Sequence, residues 1–321
     1  MTGPVHTTRD HGGGIDAAAR RFGGRRHEWL DLSTGINPVP YPVGDVPMAA
    51  WADLPDTRAM EALLTQARRF WGLPDGTDIL AAPGASALIA QLPRLAPATT
   101  VTINGPTYNE HEAAFRAAGW QLGDAGDAQV IVQPNNPDGR MRDAAEIPQL
   151  ALTVIDESFC DVTPERTLIG LARRPGTLVL KSFGKFWGLA GLRLGFAIAR
   201  PETLAELAER LGPWPVSGPA LHIGARALSD DTWAEETRRR LAVDAARMDA
   251  LMAGGGATRV GGTSLFRLYD VADARTWQTR LARHRIWTRI FPYSSRWIRL
   301  GLPHPDHWQR LEAAIGDPGR P

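Results

Sequence analysis

The stretch SFGKFWGLAGLRLG, residues 182–195, contains Lys185, and Lys181 stands immediately before it; no other lysine occurs among the 36 lysines and arginines of this 321-residue chain. Arginine serves salt bridges and phosphate forks, so a chain that relies on it has already covered the usual structural uses of lysine. What arginine cannot do is lose its proton and attack a carbonyl carbon. A lysine amine can, once burial or a nearby cation lowers its pKa, and it is then suited to Schiff-base formation. Lys185 has Phe183, Phe186 and Trp187 as neighbours, which fits a buried amine better than a surface one. Lys181 closes an apolar run and reads as structural.

Working outward, β-rich runs alternate with helix-length segments from about residue 78. TTVTI (99–103), AQVIVQP (128–134), ALTVIDE (151–157), GTLVLKS (176–182) and GFAIA (195–199) read as strands, and NEHEAAFRAAG (109–119) as an amphipathic helix. Apolar strands separated by helices predict an α/β large domain whose central, mostly parallel sheet is flanked by helices. Beyond it, PETLAELAERLG (201–212) reads as a helix, GPWPVSGP (212–219) as a break and 219–253 as two helices. TSLFRLYD (263–270), a helix over 275–285, RWIRLGLP (296–303) and a helix near 305–314 complete a smaller α+β domain. The expected division is an N-terminal arm over 1–30, a large domain over 31–215 and a small C-terminal domain over 216–321.

Composition narrows the class. The apolar share of 43% and charged share of 22% are those of a globular chain. A formal net charge of +1 gives no electrostatic case for nucleic acid or an anionic membrane as partner. No apolar run approaches the roughly 18 residues of a membrane helix, and the opening residues lack a secretory apolar core. A single cysteine, Cys160, permits no internal disulfide and suits the cytoplasm. No metal is expected.

In parallel sheets ligands gather at the carboxyl ends of strands, and Asn136, Asp156 and Ser182 each fall at or just past one. PGASALIAQLP (83–93) sets Gly84, Ala85 and Ser86 at a helix start, where free N–H groups can seat a phosphate as readily as they accept an ordinary cap. GPTYNEH (105–111) puts Tyr108 after a strand, its face available to a planar ring or to simple packing. VIDES (154–158) ends a strand in two carboxylates, which at that depth need partners. Ser182 lies three residues before Lys185, and Arg193 eight after it.

Taken together in this order, these features resemble the pyridoxal-phosphate enzymes of fold type I, the class I/II aminotransferase family, over nearly the whole chain; residues 182–195 are the most specific part. The resemblance implies pyridoxal 5'-phosphate as cofactor, carried on Lys185, which would also move protons at the substrate's α-carbon. It implies that Asp156 keeps the ring nitrogen protonated, Asn136 bonds the ring's phenolic oxygen and Tyr108 stacks on the ring. Gly84, Ala85 and Ser86, with Ser182 and Arg193, would hold the phosphate, and Arg299 would fork the substrate α-carboxylate. Two departures stand out: Phe159 and Leu54 occupy positions where many relatives carry tyrosine.

HGGGIDAAARRFG (11–23) and WLDLSTGINPVPYP (29–42) look like the opening of the threonine-phosphate decarboxylases of cobalamin biosynthesis. That likeness implies decarboxylation of L-threonine O-3-phosphate to an aminopropanol phosphate. The phosphorylated amino acid brings a second anionic group, for which His11, Asn37 and Arg289 are the candidate receivers. A histidinol-phosphate-type aminotransferase is the alternative. A non-catalytic binding module would have no need of Lys185. The family also implies a homodimer with its sites at the subunit interface.

Overall fold

The computed structural model describes residues 10–97 and 99–316. In chain order the elements are α1 (Ile15–Phe22), β1 (Leu30–Asp31), α2 (Met48–Ala52), α3 (Thr57–Trp71), β2 (Asp78–Ala82), α4 (Ala85–Gln91), β3 (Thr100–Ile103), α5 (Asn109–Ala117), β4 (Gln121–Leu122), β5 (Ala128–Val132), β6 (Leu152–Asp156), β7 (Thr177–Ser182) and β8 (Gly195–Ala199). There follow α6 (Pro201–Leu211), α7 (Gly218–Leu228), α8 (Asp231–Gly254), β9 (Thr258–Thr263), β10 (Phe266–Asp270), α9 (Ala274–Arg283), β11 (Ile286–Trp287), β12 (Arg289–Phe291), β13 (Ser294–Gly301) and α10 (Trp308–Gly316).

Each expected strand of the large domain forms, and the seven-stranded sheet has the order β2-β8-β7-β6-β5-β3-β4. Strand β8 alone is reversed, pairing antiparallel with β7 and β2, while the β3–β4, β3–β5, β5–β6 and β6–β7 pairs are parallel. The carboxyl ends of the parallel strands therefore share one edge with the amino end of β8, where Gly195 pairs with both Ala82 and Ser182. Side chains alternate between the two faces. Leu152, Val154, Leu178 and Leu180 pack with Leu88, Phe115 and Leu207, whereas Ile155 and Val179 pack with Leu63, Phe183 and Trp187. Burial on both faces is why these strands read as nearly continuous apolar runs.

The second sheet is antiparallel, in the order β12-β13-β10-β9. Two sets of contacts cross the expected divisions. Strand β1 pairs parallel with β11, and Ile15, Ala18 and Trp29 bury against Ala282, so from Asp10 onward the expected arm is fastened to the C-terminal elements; residues 1–9 lie outside the described residues. Helix α7, expected in the small domain, packs instead on α3, with Gly224 against Leu63 and Leu194. The absence of a side chain at Gly224 permits that approach. No helix among the described residues is long and apolar enough to cross a membrane.

Lys181 explains itself through packing. Its Nζ lies 2.6 Å from Glu157 Oε2 and 3.8 Å from Asp161 Oδ1, with all three side chains buried. Glu157 also accepts from Thr167 Oγ1 and Leu168 N, and Asp161 from Trp71 Nε1 and Trp187 Nε1. Burial alone would push this amine down, but the Glu157 and Asp161 charges hold it above the ordinary lysine range. The pair ties the end of β6 to the end of β7. Removing one partner of a buried pair strands the other, so Lys181→Met is expected to cost about 3–5 kcal/mol in urea unfolding, with part recovered on adding Glu157→Leu.

Candidate active site

The shared edge of the large sheet encloses a cavity of about 190 Å³ whose lining includes Ala85, Ser86, Tyr108, Asn136, Asp156, Ser182, Lys185 and Arg193. Glycine makes two of the approaches possible. A Cβ on Gly195 would stand 2.4 Å from Ala85 N, so only glycine lets the first turn of α4 rest on the start of β8. Gly84 has φ +86°, and Arg193 fills the space where its Cβ would point. Helix α4 has no side-chain cap, which leaves its first backbone N–H groups for an anion. Arg193 itself is left-handed at φ +54°, a conformation that non-glycine residues hold only where surroundings enforce it.

Asp156 is almost fully buried. His111 Nε2 lies 2.8 Å from its Oδ2, and Ser158 donates to Oδ1 from both N (2.9 Å) and Oγ (2.5 Å). Burial pushes this carboxyl up, but the hydrogen bond and charge of His111 and the two Ser158 bonds outweigh it and leave the group below its ordinary value. Sequence reasoning missed His111. The available signal was its place three residues after Tyr108, which puts both on one face of the first turn of α5.

Lys185 shows the reverse balance. Burial lowers its pKa, the Arg299 and Arg193 charges lower it further against the pull of Asp156, and the amine ends at about 8. Its Nζ lies 5.3 Å from the Phe159 ring centre, and Phe159 stands edge-on to Phe266 at 5.0 Å.

A second cavity of about 220 Å³ shares Tyr108 and Asn136 with the first and is lined by His11, Arg289 and Arg299. Arg289 and Arg299 are paired across β12 and β13. Burial, then the charge of Arg289, brings Arg299 down to about 10. It donates to Ser33 O (2.7 Å) and Asn136 Oδ1. Arg289 is held by the Asp10 carboxylate at 2.5 Å, and His11 Nε2 lies 2.8 Å from Glu110 Oε1.

Asn37 lines neither cavity. Its amide is spent elsewhere: Nδ2 donates to Phe186 O (2.8 Å), while Oδ1 accepts from Arg240 Nη2 (2.8 Å) and Val39 N (3.1 Å). Asn37, expected to receive substrate, is thus placed outside both cavities.

The first cavity falls below the roughly 300 Å³ at which drug-sized pockets begin, a scale suited to one substituted ring. It presents an amine able to lose its proton, a carboxylate kept ionised and an uncapped helix start beside an arginine. These residues fit pyridoxal phosphate.

Residues 120–314 match the family model for aminotransferases of class I and II. The chain belongs to this family. It is 42% identical over 314 residues to a threonine-phosphate decarboxylase from a Sinorhizobium species, covering 91% of this chain and 92% of that one. Identity to the threonine-phosphate decarboxylase of Pseudomonas aeruginosa is 38% over 327 residues, covering 95% and 97%. The fold matches that of histidinol-phosphate aminotransferase from Sinorhizobium meliloti in complex with pyridoxal-5'-phosphate, with a TM-score of 0.82 at 18% identity, covering 98% of this chain and 96% of the other.

Because the chain has only two lysines, reductive 13C-methylation of cofactor-free protein labels just these and the α-amine, and loss of one signal in Lys185→Arg assigns Lys185 apart from the α-amine, which titrates in the same range. The Lys185 signal is expected to titrate near pH 8 and to move upward in Arg299→Gln; titration at the ordinary 10.5 would contradict the assigned environment. The linkage has a definite sign. The unfolded chain keeps this proton to about pH 10.4, so the cost of burying the cation is full below pH 8 and fades as pH rises between the two values.

Proposed function

We infer that this chain is a pyridoxal-phosphate-dependent carboxy-lyase converting L-threonine O-3-phosphate to (R)-1-aminopropan-2-yl phosphate in cobalamin biosynthesis. The observation that carries the reading is the facing pair Arg289 and Arg299 on β12 and β13, both bordering the cavity that adjoins Lys185's. Like charges directly opposite in a sheet are unfavourable. A substrate bearing both a carboxylate and a phosphate monoester, the latter with a charge of about −1.5 to −2 at pH 7, offers Arg299 the anion it lacks among the described residues and Arg289 a stronger one than the Asp10 carboxylate that now holds it. The extent of the likeness to threonine-phosphate decarboxylases supports the same substrate.

When bound, pyridoxal phosphate supplies an electron sink for the pair released at the substrate's α-carbon. The protein's part is specific. Asp156, kept ionised by His111 and Ser158, holds a proton on a ring nitrogen presented to it. Lys185 would supply the neutral amine that holds the cofactor and, once it has taken up the proton shed by the substrate's ammonium group, would deliver that proton to the α-carbon. Arg299 orients the α-carboxylate, and that orientation governs which α-carbon bond breaks. Phe159 and Phe266 keep water from this end of the site; the Phe266 ring centre lies 5.1 Å from Arg299 Cζ. The carboxylate carbon leaves as carbon dioxide, and the freed electron pair ends in the new C–H bond.

Given L-threonine O-3-phosphate and no keto acid, the purified enzyme is expected to release carbon dioxide; amine exchange that depends on a keto acid would overturn this reading in favour of an aminotransferase. Lys185→Ala should abolish turnover and the cofactor's visible band. Loss of a charged hydrogen-bond partner in Arg299→Gln should lower kcat/KM by about 10- to 100-fold.

We also propose that the enzyme is a cytoplasmic homodimer. Met48 and Trp51 on α2 and the nearby Leu54 stand 75%, 64% and 68% exposed, and Leu54 lines a groove of about 890 Å³ between α2, α3 and α7. Apolar side chains so grouped mark a surface that is covered in the working molecule. The buried, unpaired Cys160 is in keeping with a reducing compartment. Sedimentation is expected to show a dimer, and Trp51→Glu combined with Leu54→Arg to shift it to monomer.

A further inference from the structure

The loop that carries Lys185 is pinned from outside its own strand. Three consecutive carbonyls accept hydrogen bonds from one short segment: Lys185 O from Asn37 N (3.0 Å), Phe186 O from Asn37 Nδ2 (2.8 Å) and Trp187 O from Tyr41 N (2.9 Å). Gly188, at φ +69°, closes against the same segment, and a Cβ there would stand 2.7 Å from Pro40 Cα and 2.9 Å from Asn37 O. Of these three donors only Asn37 Nδ2 belongs to a side chain. Asn37 is 2% exposed, and every hydrogen-bonding role of its amide oxygen is directed: Val39 N and Arg240 Nη2 both donate to Oδ1. The two donors fix which end of the amide faces Phe186 O, because rotating it would set an N–H against N–H groups. Arg240 belongs to α8, and its Nη1 lies 3.5 Å from Asp244 Oδ2.

We propose that Asn37 is a positioning residue for Lys185, and that Arg240 sets its orientation from α8. The amine of Lys185 is then aimed by the segment 37–41 and by α8 together, and a displacement of α8 is transmitted to the lysine through two hydrogen bonds. The proposal rests on Lys185 being the cofactor lysine, as inferred above. It adds a role for a residue whose sequence context pointed to substrate binding. The two roles separate experimentally, since a substrate receiver acts on binding and a lysine positioner acts on the reacting geometry.

Asn37→Asp keeps an oxygen for Arg240 and Val39, removes the donor to Phe186 O and adds a charge that faces Arg240. In holoenzyme this variant is expected to lower kcat about 10- to 100-fold, the range for a reacting group misplaced by a fraction of an ångström to 1 Å, with KM for L-threonine O-3-phosphate within about twofold of the parent. It should also shift the pH midpoint of the cofactor's visible absorbance, a measurement made without substrate. Arg240→Met, which leaves the buried amide in place and frees it to turn, should change both quantities in the same direction by less, and carries the test if Asn37→Asp does not fold. Raised KM with unchanged kcat and an unshifted absorbance midpoint would overturn the proposal and restore Asn37 as a substrate contact. Parent values in both readouts for both variants would overturn it as well. If the absorbance midpoint shifts while no carbon dioxide is released from threonine phosphate, the reading of the reaction falls and the positioning role stands.

Discussion

A carboxylate at the buried end of β6 is the constraint around which the site is built. Burial alone would neutralise Asp156, and a neutral acid there could not hold a proton on a neighbouring ring nitrogen. His111 and Ser158 reverse that tendency from two directions, one from α5 and one from the turn that follows β6. Because these partners come from separate elements, the charge state of Asp156 depends on α5 packing against the sheet, which in turn depends on the apolar cluster that contains Phe115 and Trp120. The acid's chemistry and the stability of the large domain are thus parts of one arrangement.

The two lysines show how four residues of separation can divide one side-chain type between opposite tasks. Lys181 points into a pair of buried carboxylates and is locked as a cation between β6 and β7. Lys185, past the strand end, meets an aromatic ring and two guanidinium charges and gives up its proton far more readily. Neither environment could serve the other role. A cation tied to Glu157 is no nucleophile, and an amine beside arginines would not hold two strands together.

In the proposed reading, reaction choice follows from how charge is laid out beyond the ring-sized cavity. Arg289 and Arg299 face each other there, Phe159 lines the inner cavity, and Phe266 packs against both Phe159 and Arg299. Asp10 and His11 line the second cavity, and their partners are Arg289 and Glu110, so the N-terminal segment borders that cavity as well as packing on the C-terminal elements.

The sequence alone determined the large domain's strands and picked out Lys185 and most of the residues that line the cavity with it, because those signals are local: apolar runs of strand length, a strand end carrying an acid, small residues before a helix. Asp156, Asn136, Ser182 and Arg193 were legible for that reason, and the likeness to a known family assigned their roles. Only the tertiary structure decided the rest, since it depends on contacts between residues far apart in the chain. His111 looks like any helix residue until α5 docks and brings it to Asp156, 45 positions away. Asn37 looks like a turn residue until the loop at 185–187 and Arg240 claim its amide. The reversal of β8 and the attachment of residues 10–31 to the last third of the chain follow from strand pairings, which no local pattern encodes because backbone hydrogen bonding is indifferent to sequence.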